Sequence, residues 1–318
     1  MLTHASATAN RAFATPADQP QPPSARPAPG LWRNAWRRFV HDRPSIVALI
    51  VLCLIAITAV SAPWVCDNVL HTDPAHFLRR PDGRIATLQP PGPGYPLGTD
   101  DLGRDTLTRL LYAGQVSLLV GVLVSAISLG IGAPLGVLAG YFGGRVDDLV
   151  NAFVQVVINI PTLFLFIVLS VFFQPNVWQL ALIFGFFFWP GTARQVRASV
   201  LSLRNRDFIE AVRVLGAGDR RIMLRHVFPN VVSVVLVVAG MDMAAAILAE
   251  SALSFLGFGV PVPLSSWGNM LSGSMDQFRS APWLVYPPGL MIFASVLCVY
   301  LITDGLRDAL DPQAGVEH

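Results

Sequence analysis

The chain has 318 residues, of which 53% are hydrophobic and 13% charged; soluble domains average about 25% charged, so the balance suits burial in lipid rather than a water-covered globule. A net charge of +2, with no basic stripe interleaved with aromatics, offers nucleic acid no footprint. All 22 basic residues are arginine, which excludes a Walker A loop and Schiff-base chemistry, since both need a lysine. Any ATP that drives such a protein must be hydrolysed by another subunit. Cys53, Cys66 and Cys298 form no framework; those in apolar runs read as small hydrophobes.

Residues 1–30, rich in Pro, Ala, Ser and Gln, are expected to be a disordered cytosolic tail. No signal peptide is expected, because neither an apolar core nor a cleavage site follows promptly. In 31–65, Leu31, Trp32, Ala35, Trp36, Phe39 and Val40 recur at helical spacing among Arg33, Arg37, Arg38 and Arg43. This pattern predicts a helix lying on the membrane surface, arginines towards lipid phosphates; the alternative is a first span that starts early.

Six apolar stretches reach or approach the ~20 residues that a bilayer crossing needs: Ile46–Val65, Val116–Gly140, Leu149–Phe173, Val177–Ala193, Val231–Glu250 and Leu284–Thr303. A polar segment, 66–111, dense in Pro, Gly and Asp, separates the first span from a core at 112–312; a tail, 313–318, follows. Arginines concentrate before span one and between spans four and five, where Arg194, Arg197, Arg204, Arg206, Arg213, Arg220, Arg221 and Arg225 lie. By the positive-inside rule both termini are expected in the cytosol and 66–111 outside.

Span two spaces Ser128, Gly132, Gly136 and Gly140 at intervals of four, a pattern that lets two helix backbones approach closely in lipid. Either it packs, on a partner subunit for example, or it is flexible around Pro134. Span three carries Asn151, Gln155 and Asn159 one turn apart, with Thr162 in line. Amides are costly against lipid, so this stripe either lines a translocation path or makes interhelical hydrogen bonds. Asp242, at mid-depth in span five, is a functional candidate by default, or else it pairs with an arginine of a partner. Glu250, at the outer end of that span, is expected to meet water or shape an outer gate. Ser251–Tyr286, broken by prolines, is expected to fold back on the outer surface, with Trp267 and Asn269 as further gate or docking candidates.

The loop 204–230 predicts a helix at Phe208–Leu215, a turn at Gly216–Asp219 and a second short helix at Arg220–Val227, a charged yet partly apolar projection suited to docking on a soluble partner. Its residues Glu210-Ala211-Val212, Gly216 and Phe228-Pro229 resemble the EAA loop of ABC importer permeases. Five further stretches resemble, more narrowly, the oligopeptide/dipeptide/nickel permease family: Leu97-Gly98-Thr99-Asp100-Asp101-Leu102-Gly103-Arg104-Asp105, Gly140-Tyr141-Phe142-Gly143-Gly144, Ser254-Phe255-Leu256-Gly257, Ser266-Trp267-Gly268-Asn269-Met270 and Asp304 to Pro312. Val212 and Phe228 depart from the alanine and leucine usual in the EAA loop, and both keep its apolar character.

The resemblance implies an all-α, six-transmembrane-helix permease bundle of the bacterial inner membrane, with an N-terminal interfacial helix and a cytosolic coupling helix. Glu210, Ala211, Gly216, Asp219, Arg220 and Arg221 would then engage an ATPase subunit. The implied partners are a second homologous permease, two cytosolic ABC ATPases that hold ATP and Mg, and a periplasmic or lipoprotein binding protein. Peptides are the expected cargo, with nickel or another solute as the alternative. An intramembrane enzyme built on Asp242, Glu250 or His226 lacks support: the two acids stand about 12 Å apart by helix rise, and no Ser-His pair or metal-ligand cluster lies within the spans. A passive channel would leave the projecting loop unexplained.

Overall fold

In the computed structural model the described residues are 31–310, so both tails, 1–30 and 313–318, lie outside them. Capping and proline set the helix boundaries. α1 (Leu31–His41) and α2 (Arg43–Val60) are separated only by Asp42, whose carboxylate accepts the Ser45 N–H at 3.1 Å and caps α2 beside Pro44. α3 (Ala62–Val65) and a π turn (Cys66–Leu70) prolong that helix. Cys66 is buried there, and burial pushes its thiol up, which keeps it protonated and unreactive. From 71 to 105 the described chain forms no named strand, only isolated bridges such as Arg79 with Ile85 and Thr99 with Asp105.

α4 (Thr106–Phe142) is 37 residues long, about 55 Å by helix rise against a hydrocarbon core of about 30 Å. The apolar stretch read as span two is thus only its inner part. Asp105 caps it, accepting the Thr108 N–H at 2.8 Å and hydroxyl at 2.6 Å. α5 (Gly144–Ile158) and α6 (Thr162–Phe173) replace the single third span: the chain bends by 70° between them. Pro161 is the cause, because it has no N–H to continue the ladder and pushes Ile160 out of helical geometry.

α7 (Val177–Arg204) runs through Pro190 and ten residues past Arg194, where the sequence reading had placed a loop. α8 (Asp207–Val214) follows, and then α9 (Asp219–Ile222), a π turn (Met223–Val227) and α10 (Phe228–Phe255) join as one continuous helix. α11 (Trp267–Ser272) is short, and α12 (Tyr286–Leu310) closes the bundle. The fold is therefore all-helical apart from loops among the described residues. Of the six expected spans, four helices among the described residues are long and apolar enough to cross, or five if the bent pair counts as one. α7 falls outside that set because its apolar run gives way to arginines at Arg194.

The centre of the bundle is α4 laid along α7. A Cβ on Gly132 or Gly136 would stand 2.6 Å from the Trp189 or Ala193 carbonyl oxygen, and one on Gly140 2.7 Å from Val200 Cβ. The small-residue stripe therefore packs inside this chain, on α7, and not on a partner subunit. Val120, Val124, Leu180, Phe184 and Leu253 fill one apolar layer, with Phe166 stacked on Phe184 at 4.2 Å between ring centroids. α12 and α2 pack on the outside of α10 and α4, and α1 seats Ala35 and Phe39 against Ala309, Leu306 and Ile46.

Candidate functional site

The projecting unit between α7 and α10 has two unlike sides. Ile209 of α8, Ile222 of α9 and Val227 of the π turn are fully buried against Val137 and Tyr141 of α4 and Val196 and Val200 of α7. The Tyr141 hydroxyl donates to Asp219 Oδ1 at 2.7 Å, and the Arg213 guanidinium lies 6.0 Å from the centroid of the same ring. Gly216 turns the chain at φ +83°, a conformation that a side chain strains, and its N–H donates to the Arg213 carbonyl at 3.0 Å. The back of the unit is thus fastened to the ends of the two central helices.

The front is open. Glu210, Ala211, Gly216, Arg220 and Arg221 are all exposed, and Val214 and Leu215 are 82% and 86% exposed. Large apolar side chains so bare beside charges of both signs suit a soluble protein partner. All six loop candidates are exposed; Asp219 lines an open surface hollow with Arg220 and Arg221 while one of its oxygens accepts from Tyr141.

Inside the bundle the candidates separate. Asp242 Oδ2 accepts the Ser128 hydroxyl at 2.6 Å and the Thr192 hydroxyl at 2.8 Å, so it ties α10 to α4 and α7. Neither water nor an arginine of a partner is needed to explain it. The amides of α5 differ in their partners. Asn151 donates to Asp147 Oδ1 at 2.8 Å, Asn159 folds back on the Gln155 carbonyl at 2.7 Å, Gln155 and Asn159 face outward, and the bend at Pro161 takes Thr162 out of register. Asp147 also forms an ion pair with Arg197, Nη2 to Oδ2 at 2.6 Å, which fastens α5 to α7.

At the other end of the bundle Glu250 is fully buried, which corrects the expectation that it meets water. Its carboxylate accepts the Ser117 hydroxyl at 2.9 Å and the Ser254 hydroxyl at 2.6 Å; Ser117 Oγ in turn accepts the Trp267 N–H at 3.3 Å, and Ser254 Oγ the Val260 N–H at 3.1 Å. Trp267 is likewise buried, its indole N–H donating to the Leu110 carbonyl at 3.3 Å, so it anchors α11 and presents nothing to an external protein. Asn269 lines an open basin of about 580 Å³ with Ser170, Gln174 and Ser272, yet its side chain caps α11 and donates to the Leu264 carbonyl at 2.9 Å. The Leu97–Asp105 stretch also gains a structural account: Asp100 Oδ2 receives Arg104 Nε at 2.7 Å and Arg109 Nη1 at 2.5 Å, and Arg109 Nε donates to Ser265 Oγ at 3.1 Å.

A cleft of about 450 Å³ between α7, α10 and α12 is lined by Gln195, Ser199, Ser233, Met241 and Arg307. Of these, only Arg307, within the Asp304–Pro312 stretch, was singled out from sequence. The spacing of Gln195 and Ser199, one helical turn apart, was the available signal, and reading that stretch as a loop concealed it.

Comparison with known proteins agrees with this architecture. The family model described as the binding-protein-dependent transport system inner membrane component matches residues 132–316, and that of the N-terminal TM domain of oligopeptide transport permease C matches 30–91. An oligopeptide transport system permease protein of Haemophilus influenzae is 38% identical over 284 residues, 89% of each chain. That of Escherichia coli K12 is 39% identical, covering 89% of this chain and 91% of its own. A di/tripeptide transport system permease protein of Pseudomonas aeruginosa is 36% identical, covering 90% and 93%. Among solved structures, a methionine ABC transporter in an inward-facing conformation matches with TM-score 0.54 and 18% identity over 64% of this chain and 97% of that one, a likeness of fold.

Proposed function

This chain belongs to the family of binding-protein-dependent transport system inner membrane components, and from that premise we propose that it is the membrane-spanning permease subunit of an ATP-driven importer of di- and oligopeptides. The relatives named for peptide transport support the cargo; nickel or another solute is not favoured. With a second homologous permease it forms the path across the inner membrane. A periplasmic or lipoprotein binding protein delivers the peptide, and two cytosolic ATPase subunits hold ATP and Mg. Both termini lie in the cytosol and 66–111 in the periplasm, the orientation that the arginines favour.

The observation that carries the reading is the two-sided unit at α8. Its exposed front receives the ATPase subunit, while its buried back transmits displacement to α4 and α7. Because Ile209 and Ile222 are fully buried in one close-packed cluster with Val137 and Val200, a movement of α8 carries the central pair with it. The complex then alternates between outward- and inward-facing states that nucleotide biases. The outward-facing amides of Gln155 and Asn159 offer uncharged contacts to the path formed with the second permease. The test is to substitute Glu210→Ala and Gly216→Pro: proline cannot adopt φ +83°. ATP hydrolysis without peptide uptake, at normal membrane insertion, is the expected result. Full uptake by both variants would remove α8 from the mechanism.

A further inference from the structure

Between α2 and α12, away from the α8 unit, a groove of about 480 Å³ is lined by Val47, Ala48, Val51, Phe293, Ala294 and Leu297, with Arg43 and Pro44 at one end. Its floor is Ala48 and Cys298, both buried, and its rims are Val47, Phe293 and Leu297, which face outward at 60%, 63% and 42% exposure. The two helices run antiparallel: Ser45 Oγ donates to the Leu301 carbonyl at 2.7 Å, whereas Ile55 and Ala59 pack near Met291 and Ile292. From Arg43 to Val51 the groove follows α2 for about 12 Å, most of the ~15 Å depth of one hydrocarbon leaflet. One end is therefore apolar and deep, and the other opens at the membrane surface beside a guanidinium.

Arg43 is the charged residue that lines the groove itself. Arg43 is exposed, and α1, which joins α2 through Asp42 alone, presents exposed Arg33 and Arg37 together with an outward Trp36. Asp42 spends a carboxylate oxygen on the α2 cap; Asp304 and Asp308, both exposed on α12 beyond Leu301, are acids on this side, with exposed Arg307 between them. α1 is held in place by buried Ala35 and Phe39, so its arginines sit on a fixed platform.

We propose that this groove is a binding site for one anionic phospholipid of the bilayer, an acyl chain lying between α2 and α12 and the phosphate held by Arg43 with the arginines of α1. Lipid tails fill apolar grooves of membrane proteins without discrimination, so selectivity resides in the headgroup, and each arginine near the surface contributes about 1 kcal/mol towards an anionic lipid, roughly a fivefold preference. Through α1 and α12 the lipid would fasten the N-terminal helices to the bundle.

The full-length chain, purified in mild detergent and titrated with phosphatidylglycerol or phosphatidylcholine, tests this by native mass spectrometry. One tightly retained phosphatidylglycerol, at least fivefold preferred over phosphatidylcholine, is expected. Arg43→Gln should cut that preference about fivefold while leaving phosphatidylcholine binding as it was. Ala294→Phe, which fills the groove, should reduce retention of both lipids with the helical circular dichroism unchanged. Equal retention of the two lipids by the wild type, or undiminished preference in Arg43→Gln, would overturn the proposal. So would efficient cross-linking of a cysteine at Leu297 to a second permease subunit in the assembled complex, which would make the groove a protein interface.

Discussion

Gly136→Ala is the smallest change that probes the central helix pair. The added methyl would lie 2.6 Å from the Ala193 carbonyl oxygen and 2.9 Å from Val196 Cβ, whereas ordinary contact begins near 3.4 Å. One obstacle is backbone and the other a branched side chain at its root, so neither can swing aside. α4 and α7 must part by about 0.8 Å, the difference of those distances. A gap of that size forfeits a quarter to a half of the dispersion attraction of the atoms beside it, and overpacking of this kind costs about 1–3 kcal/mol. Gly130 lies on the same helix with nothing within 4 Å of its would-be Cβ, so Gly130→Ala should be neutral or gain about 0.5–1 kcal/mol from reduced backbone entropy. Thermal unfolding of the two purified variants, followed by circular dichroism, measures the contrast: a lower midpoint for Gly136→Ala and an unchanged or higher one for Gly130→Ala. Equal midpoints would refute the close packing of α4 on α7.

Asp242→Leu should lower stability by about 1–3 kcal/mol, since Ser128 and Thr192 can then pair with each other but one buried hydroxyl donor is left stranded, whereas Asp242→Asn, which keeps an acceptor, should assemble nearly normally. Gln155→Leu should leave assembly intact and impair uptake; normal uptake in that variant would take the α5 amides out of the path. A cysteine placed at Asp82 should react with an impermeant thiol reagent on intact spheroplasts and one at Arg220 should not, and the reverse pattern would invert the topology.

The all-helical membrane class was legible in hydropathy because lipid imposes it. So was the turn at Gly216, where one residue type suits the backbone and the flanking periodicities change phase. Helix ends were less legible. Hydropathy drops where Arg109 and Gln115 enter α4, yet both are satisfied within the fold, by Asp100 and Ser265 and by the Ala59 carbonyl. Similarly α7 continues past Arg194 because long guanidinium side chains reach a partner, as Arg197 reaches Asp147. Pro161 carries a clear local signal, but apolar residues on both sides masked it. The glycine stripe announced a close approach without naming the helix that makes it. Glu250 was misjudged for a related reason: the serines that satisfy it come from α4 and from the next turn of α10, and only Ser254 is near in sequence.

The central claim is that this chain moves peptides with energy supplied at α8 by a separate ATPase. Proteoliposomes containing both permeases and both ATPase subunits, supplied with peptide-loaded binding protein outside and ATP inside, measure it directly. The account predicts peptide accumulation that requires ATP and binding protein, and that Gly216→Pro abolishes while ATP hydrolysis continues. Peptide accumulation without ATP, or undiminished in the Gly216→Pro complex, would contradict it.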